Sequence, residues 1–206
     1  MKKLGFNVFT SIVIVAWSFC TNACLEGGTI KGKITATKSK YLLDAVIYID
    51  SVAETFEVPK EHLVMNQKNL VFIPRVMPLL AGTTVDFLNS DDVAHNVFTP
   101  DKSADKMNLG TWPKGQIRSF TFARRCDKVC DAQMLCNVHP EMEAFVVILQ
   151  NPYFTKADTT GSFQINNVPA GSYTLQVWHS KLKTDSQKIL VPETGAVQVE
   201  FALKSK

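Results

Sequence analysis

The sequence has little excess charge of either sign, and it has no second long apolar run after its N-terminus. Its 206 residues include 22 Lys and Arg against 19 Asp and Glu, a formal net charge of +3. This near balance gives no argument for nucleic acid as a partner. Because no long apolar stretch follows residues 9–19, we expect no membrane-spanning segment in the mature protein. Helical periodicity is also scarce, apart from a weak pattern over Lys60–Met65.

Residues 1–23 are typical of a secretion signal. Two lysines begin the segment, and the apolar run over 9–19 is too short to span a bilayer comfortably. Thr21–Ala23 then supplies the small residues that precede a cleavage site. Removing the segment deletes two lysines and no acidic residue, so the mature chain would be close to neutral. We expect an exported protein, either periplasmic or associated with the cell envelope.

Cys24 directly follows the expected cleavage point. A cysteine at this place can be the acylated first residue of a bacterial lipoprotein, but Thr21 stands where a Leu or similar residue is expected. Cys24 is therefore a candidate for lipidation, and the alternative is plain export with Cys24 incidental. A lipid anchor is the only membrane contact that we expect.

Past the signal, most segments have the pattern of β-strands. Thr29–Ala36 and Ser172–Trp178 alternate apolar and polar residues, while Ala45–Ile49 and Ala144–Leu149 are apolar enough for buried strands. Residues 99–116 are predicted to form a long surface connection. The other predicted strands are Leu63–Met65, Leu70–Ile73, Thr83–Leu88, Ile117–Phe122, Ser162–Ile165, Gln187–Val191 and Ala196–Leu203, with an irregular crossing around Pro74 and Pro78. Short strands with frequent turns predict an all-β fold of the sandwich or barrel type.

The residue types that carry metal chemistry concentrate in one short segment with the spacing C-x2-H-x2-M. It contains Cys136, His139 and Met142, and a second imidazole, His95, follows a predicted strand. Two His, one Cys and a weak axial Met are the ligand set of a mononuclear blue copper site. Each residue alone has a plainer explanation: a turn histidine, a core methionine, or a zinc ligand. Taken together, they predict one copper ion per chain and transfer of single electrons.

Four histidines in total, with no His-x-His pair, are too few for a type 2 or trinuclear copper centre within one chain. We therefore expect no enzymatic activity, unless a homo-oligomer adds a histidine at its interface. His62 precedes a strand without a partner ligand and is expected at the surface. His179, beside Trp178, is expected to be structural; the alternative is a place at a domain interface near the metal.

Two further cysteines, Cys126 and Cys130, lie shortly before the ligand segment. In an oxidising compartment a disulfide between them is the simplest expectation. The alternative is that they also bind metal. A binuclear copper centre needs the spacing C-x3-C-x3-H, which this segment does not have.

Residues 64–149 resemble the cupredoxin family. The resemblance is carried by Phe72–Pro74, Ala81–Asn89, Asp92, His95–Asn96 and the ligand segment with its Pro140, which is most similar to the amicyanin and plastocyanin-like members. The resemblance implies a Greek-key β-sandwich in which His95, Cys136 and His139 bind copper in one plane, with Met142 axial. It also implies that Asn96 supports the cysteine sulfur from outside the ligand set.

The two ends of the chain resemble a carboxypeptidase regulatory-like, or transthyretin-like, β-sandwich. The resemblance lies in Thr29–Ile34 with Ala45–Ile49, and in Ala157–Leu175. It implies that residues 27–55 and 153–206 together form a second small sandwich, into which the cupredoxin domain of residues 56–152 is inserted. Exported proteins loosely labelled as methylamine-utilisation-like have this combination.

The sequence thus predicts an exported electron carrier whose partners are other redox proteins of unknown identity. Two alternatives remain open: copper binding for storage or delivery, and a structural surface module whose copper site is vestigial. An apolar collar of Pro78, Leu79, Pro100 and Pro140 is predicted around the ligand loop for transient docking.

Overall fold

A computed structural model of the protein describes residues 27–123 and 129–206. Among these residues, sixteen strands are joined by turns and by two short 3-10 helices, Ser39–Asp44 and Lys102–Ala104. No helix in the described part of the chain is long and apolar enough to cross a membrane. The all-β prediction is confirmed. The predicted secretion signal and Cys24 lie outside the described residues.

The strands are numbered in chain order, and their bounds are as follows. They are β1 (Gly28–Ala36), β2 (Val46–Ile49), β3 (Leu63–Lys68), β4 (Val71–Ile73), β5 (Val76–Leu80), β6 (Thr84–Asn89), β7 (His95–Phe98), β8 (Asn108–Trp112), β9 (Ile117–Thr121), β10 (Cys130–Leu135), β11 (Glu143–Leu149), β12 (Phe154–Lys156), β13 (Ser162–Val168), β14 (Gly171–Trp178), β15 (Asp185–Val191) and β16 (Ala196–Leu203).

Strands β3 to β11 form a sandwich of two sheets. One sheet has the order β5-β11-β10-β7-β8 and the other the order β4-β3-β6-β9, so the chain crosses repeatedly from one sheet to the other. These crossings give the Greek-key arrangement that was predicted. The core between the sheets includes Met65 and Phe87 from one side and Met134 and Val146 from the other, all fully buried. The sandwich holds the ligand segment between two neighbouring strands, β10 and β11.

The remaining strands form a second sandwich from the two ends of the described chain. Its sheets have the orders β13-β1-β16 and β12-β2-β14-β15, and β1 pairs antiparallel with β13 and parallel with β16. At Gly32 the backbone of β1 passes so close to β16 that a Cβ there would lie 2.1 Å from the backbone oxygen of Val199. The N-terminal strands thus complete the C-terminal module. The exact boundaries 27–55, 56–152 and 153–206 remain a prediction.

Strand β11 is buried on both faces, which explains its nearly continuous apolar sequence. Val146 and Ile148 point into the core of the first sandwich. Phe145 and Val147 point the other way and form an apolar cluster with residues of the second sandwich, among them Trp178. The strand that leaves the ligand segment therefore contacts both sandwiches.

The predicted irregular crossing around Pro74 and Pro78 is wrong. Residues 76–80 form strand β5, which pairs in parallel with β11. Pro78 is accommodated because β5 is the edge of its sheet, where a missing N–H need not cost a ladder hydrogen bond.

Two other local predictions are also wrong. The predicted connection over residues 99–116 contains a 3-10 helix and strand β8. The weak helical pattern over Lys60–Met65 is overridden by strand pairing, since β3 starts at Leu63 and pairs with β6.

His179 has a structural role in the second sandwich, as expected. The side chain is 1% exposed, and its Nε2 lies 3.0 Å from the backbone oxygen of Tyr41. Its Nδ1 accepts hydrogen bonds from the backbone N–H groups of Lys181 and Leu182. Nε2 is therefore the protonated nitrogen of the neutral ring. Burial lowers the pKa of His179, an effect that outweighs the backbone contact with Tyr41.

This environment predicts a pH dependence of folding. Because the pKa of His179 is lowered only in the folded state, the unfolded chain takes up the proton first, and stability falls as the pH drops below about 6.5. The variant His179→Asn keeps an acceptor for the two amides but does not titrate. We expect it to lose part of the stability change between about pH 7.5 and 5.5 in urea denaturation. The same loss of stability with pH in both proteins would contradict this assignment.

Candidate metal centre

Three of the predicted ligands converge at one end of the five-stranded sheet. His95 begins β7, Cys136 directly follows β10, and His139 lies in the loop between β10 and β11. The strands β7 and β10 are neighbours and pair Phe98 with Leu135. The Nδ1 of His139 lies 3.0 Å from the Nδ1 of His95, and the Sγ of Cys136 lies 4.0 Å from that same His95 atom. One ligand atom from each of the three residues lies within 4.8 Å of the others.

The group is buried but reaches the surface at one member. His95 is 0% exposed and Cys136 2% exposed, whereas His139 is half-buried. Met142 is fully buried in the same apolar core as Cys136, and its backbone N–H donates to the backbone oxygen of His139 at 3.0 Å. Across residues 27–123 and 129–206, this is the one set of three His, Cys or carboxylate side chains close enough to hold a metal ion.

Asn96 connects the ligand loop to the neighbouring strand. Its backbone N–H donates to the Sγ of Cys136 at 3.4 Å, so the contact to sulfur comes from the backbone and not from the amide side chain. The side chain donates instead to Asn108 and to the backbone oxygen of Gly110, at 3.0 and 2.8 Å. Its oxygen accepts from the N–H of Asn137 at 3.4 Å. Asn96 thus directs a backbone donor at the sulfur of Cys136 and accepts from the next residue of the ligand loop.

Asp91 fixes the orientation of His95. Its carboxylate lies 2.9 Å from the Nε2 of His95 and accepts the backbone N–H groups of Asn69 and Leu70, at 2.6 and 3.0 Å. Burial alone would raise the pKa of Asp91, but the hydrogen bonds from Leu70, His95 and Asn69 outweigh it and hold the pKa below its ordinary value. With Nε2–H donating to a carboxylate, the lone pair of Nδ1 faces the other two ligands.

The turn that Asp91 binds has an unusual backbone. Asn69 and Leu70 both have φ near 57°, in the left-handed region that favours glycine. Such a pair forms a tight hairpin turn between β3 and β4. Leu70 lacks the freedom of glycine, so its conformation costs energy that the hydrogen bonds to Asp91 help to offset. One carboxylate therefore holds both the turn and a candidate ligand.

The sequence did not single out Asp91. It drew attention to Asp92, the next residue, which instead pairs with Lys114 at the surface at 2.7 Å with its side chain 91% exposed. Adjacent aspartates in a turn cannot be distinguished from composition alone, because only the backbone path decides which one faces inward. The four-residue separation of Asp91 and His95 does not indicate a contact between them either, because the segment that joins them is an irregular loop.

The remaining site predictions have separate outcomes. Cys130 is disulfide-bonded, but Cys126 lies outside the described residues, so the predicted pairing stays a prediction. Cys24 is likewise outside them. His62 is exposed, as expected, with its Nδ1 2.9 Å from the carboxylate of Asp86.

The predicted apolar collar is wrong in two of its members. Leu79 is 1% exposed, and Pro78 pairs with Val147, well along β11 from the ligand loop. Both line a cleft with Phe56 and other residues instead.

Other apolar side chains are exposed next to the candidate ligands. Val93 lies two residues before His95, and Val138 and Pro140 flank His139; all three are exposed. Leu70, also exposed, is joined to His95 through Asp91.

Comparison with known proteins gives one family pattern and several solved structures. The pattern of a family described as polysaccharide lyase family 4, domain II, matches residues 138–199. No curated protein matches the chain. The carboxypeptidase regulatory-like resemblance of the second sandwich stays a prediction.

Solved structures similar to this chain include variants of amicyanin and a purple cupredoxin. A reduced amicyanin variant is 21% identical, with a TM-score of 0.39, and the match covers 51% of this chain and 98% of that one. The Cu(I) form of another amicyanin variant gives the same values. A purple cupredoxin from Nitrosopumilus maritimus is 18% identical, with a TM-score of 0.36, covering 42% of this chain and 98% of that one.

The hydrogen bonds of Asp91 predict a large loss of stability in the variant Asp91→Ala. The change leaves a buried imidazole N–H and two turn amides without their acceptor, so the free energy of unfolding should fall by about 1–3 kcal/mol. The matched control is Asp92→Ala, whose surface ion pair should be worth about 0–1 kcal/mol. Equal stabilities of the two variants in urea denaturation would contradict the role given to Asp91.

Proposed function

We propose that this chain is an exported type 1 copper protein that carries single electrons between redox partners. The observation that carries the proposal is the buried group of two imidazoles and one thiol, with their ligand atoms within 4.8 Å of one another. The nearby burial of Met142 in the same core adds a candidate thioether. This is the donor set that blue copper sites use.

The residues present fit a copper ion on three grounds. Two nitrogens 3.0 Å apart can both bind one ion at bond lengths of about 2 Å. The Nδ1 of His95 is free to bind, because Nε2 is engaged by Asp91. The sulfur of Cys136 accepts the backbone N–H of Asn96, a contact that helps to hold it beside the two imidazoles.

The same arrangement suits transfer of one electron. Copper would supply the change between Cu(I) and Cu(II), and a set of imidazole, thiolate and thioether is acceptable to both states. The protein's part is to keep the ligands in place. His95 and Cys136 are fixed by neighbouring strands, and the loop to Met142 is closed by a hydrogen bond to His139. A scaffold that moves little keeps the energetic cost of each electron transfer small.

His139 is the best placed of the three ligands to pass an electron to a partner. It is half-buried, and exposed Val138 and Pro140 lie on either side of it. Exposed Leu70 and Val93 extend this apolar surface near His95. A small apolar patch around a metal ligand favours short-lived docking of another redox protein. We propose donor and acceptor proteins as partners without assigning either.

Export to an oxidising compartment completes the proposal. The disulfide-bonded state of Cys130 supports it, since disulfides persist outside the reducing cytosol. We propose a periplasmic or envelope-associated protein, with Cys24 as the candidate lipidation site. We propose no enzymatic role, because the other two histidines serve other contacts: His62 pairs with Asp86, and His179 is bound to backbone.

The function is tested by the visible spectrum of the mature protein after addition of Cu(II). We expect an intense thiolate-to-copper absorption band that bleaches with ascorbate and returns on reoxidation. The control variant Cys136→Ser lacks the sulfur, so the folded variant should show no band. Weakly held, colourless copper in the folded wild-type protein would contradict electron transfer and favour storage or delivery.

A further inference from the structure

We propose that Arg75 and Asp44 couple the second sandwich to the candidate metal centre. Together they hold Glu143, the residue at which the ligand loop ends. The inference rests on the proposed function. It assigns a positioning role to Arg75, which contacts none of the candidate ligands itself and acts through Glu143.

Glu143 is the residue through which this coupling acts. It directly follows Met142 and is the first residue of β11. One of its carboxylate oxygens accepts from the Nη2 of Arg75 at 2.7 Å, and the other accepts from the Nε2 of Gln133 at 2.6 Å. With both oxygens bound, Glu143 is held from two sides, and the backbone that leads to Met142 is held with it.

Asp44 supplies the opposite anchor. It ends the 3-10 helix Ser39–Asp44, just before β2 of the second sandwich, and it accepts from the Nη1 of Arg75. The guanidinium group thus bridges two carboxylates, one from each sandwich. Its planar shape suits this task, because the separate N–H groups point in fixed directions.

Arg75 is further fixed by Phe145. The guanidinium carbon lies 5.4 Å from the centre of the Phe145 ring, and the backbone N–H of Phe145 donates to the backbone oxygen of Arg75 at 2.8 Å. The Phe145 ring also packs on Trp178 of the second sandwich, with ring centres 5.6 Å apart. Three residues after Met142 the chain therefore contacts the second sandwich again.

These contacts favour positioning over simple adhesion between the sandwiches. An apolar cluster that includes Val46, Val147 and Trp178 already joins the two units. The side chains of Arg75 and Glu143 are each 32% exposed, so their ion pair contributes little to stability. Its place is informative, because it holds the residue next to Met142. In blue copper sites the axial ligand tunes the reduction potential.

The test compares copper-loaded mature wild-type protein with two variants. Arg75→Lys keeps the charge but cannot bridge two carboxylates as a guanidinium does. Asp44→Asn replaces the charged acceptor on the second sandwich with a neutral, weaker one. For each protein we would measure the wavelength of the thiolate-to-copper absorption band, the reduction potential and the rate at which a chelator removes Cu(II). The control is Tyr48→Phe, which loses a hydrogen bond to Gln176 within the second sandwich and leaves the two ion-pair partners of Arg75 in place.

We expect Arg75→Lys and Asp44→Asn to shift the absorption band in the same direction as each other, to do likewise for the reduction potential, and to speed copper removal on the order of tenfold. If both variants shift these readouts in the same direction, the cause is not charge alone, because Arg75→Lys conserves the charge. Tyr48→Phe should leave all three readouts unchanged. A blue wild-type protein whose readouts are unaltered in both variants, or altered equally in Tyr48→Phe, would overturn this inference alone. A wild-type protein without the blue band would overturn the proposed function and this inference with it.

Discussion

The pairing of β7 with β10 is the constraint on which the candidate metal centre depends. His95 and Cys136 are 41 positions apart in the chain, and the sheet places them side by side. Because both sit at the same end of these strands, the short loop after Cys136 needs only to turn back for His139 to reach His95. The ligand group follows from strand register, and a slip of one residue would turn the side chains to the opposite face.

Burying imidazole and thiol groups at this place requires partners for their polar atoms. Asp91 binds the far nitrogen of His95, and the N–H of Asn96 reaches the sulfur of Cys136. An unpaired buried donor costs about 1–3 kcal/mol, so these contacts decide whether the site is stable before any ion binds. The second sandwich adds a further support at Glu143, where the loop rejoins the sheet.

The sequence predicted those strands whose pattern of apolar residues follows directly from burial on one or both faces. Strand β16 alternates cleanly over Ala196–Leu203 and was found at those bounds, and the apolar run of β11 is explained by burial on both faces. The motif C-x2-H-x2-M and His95 were also predicted, and the structure brings the Cys and both His together. Local pattern could not show that Pro78 lies in an edge strand, or that Asp91 and not Asp92 faces His95. Those features depend on contacts between distant segments.

Crystal structures of the copper-loaded mature protein in its Cu(II) and Cu(I) states would show whether the four candidate ligands bind the metal in both oxidation states. We expect one ion bound to the Nδ1 atoms of His95 and His139 and to the Sγ of Cys136 in both states, with the Met142 sulfur at a longer distance. No ligand should be lost or exchanged on reduction. Copper bound elsewhere, or a site that loses His95 or Cys136 when reduced, would contradict an electron-transfer site at these residues.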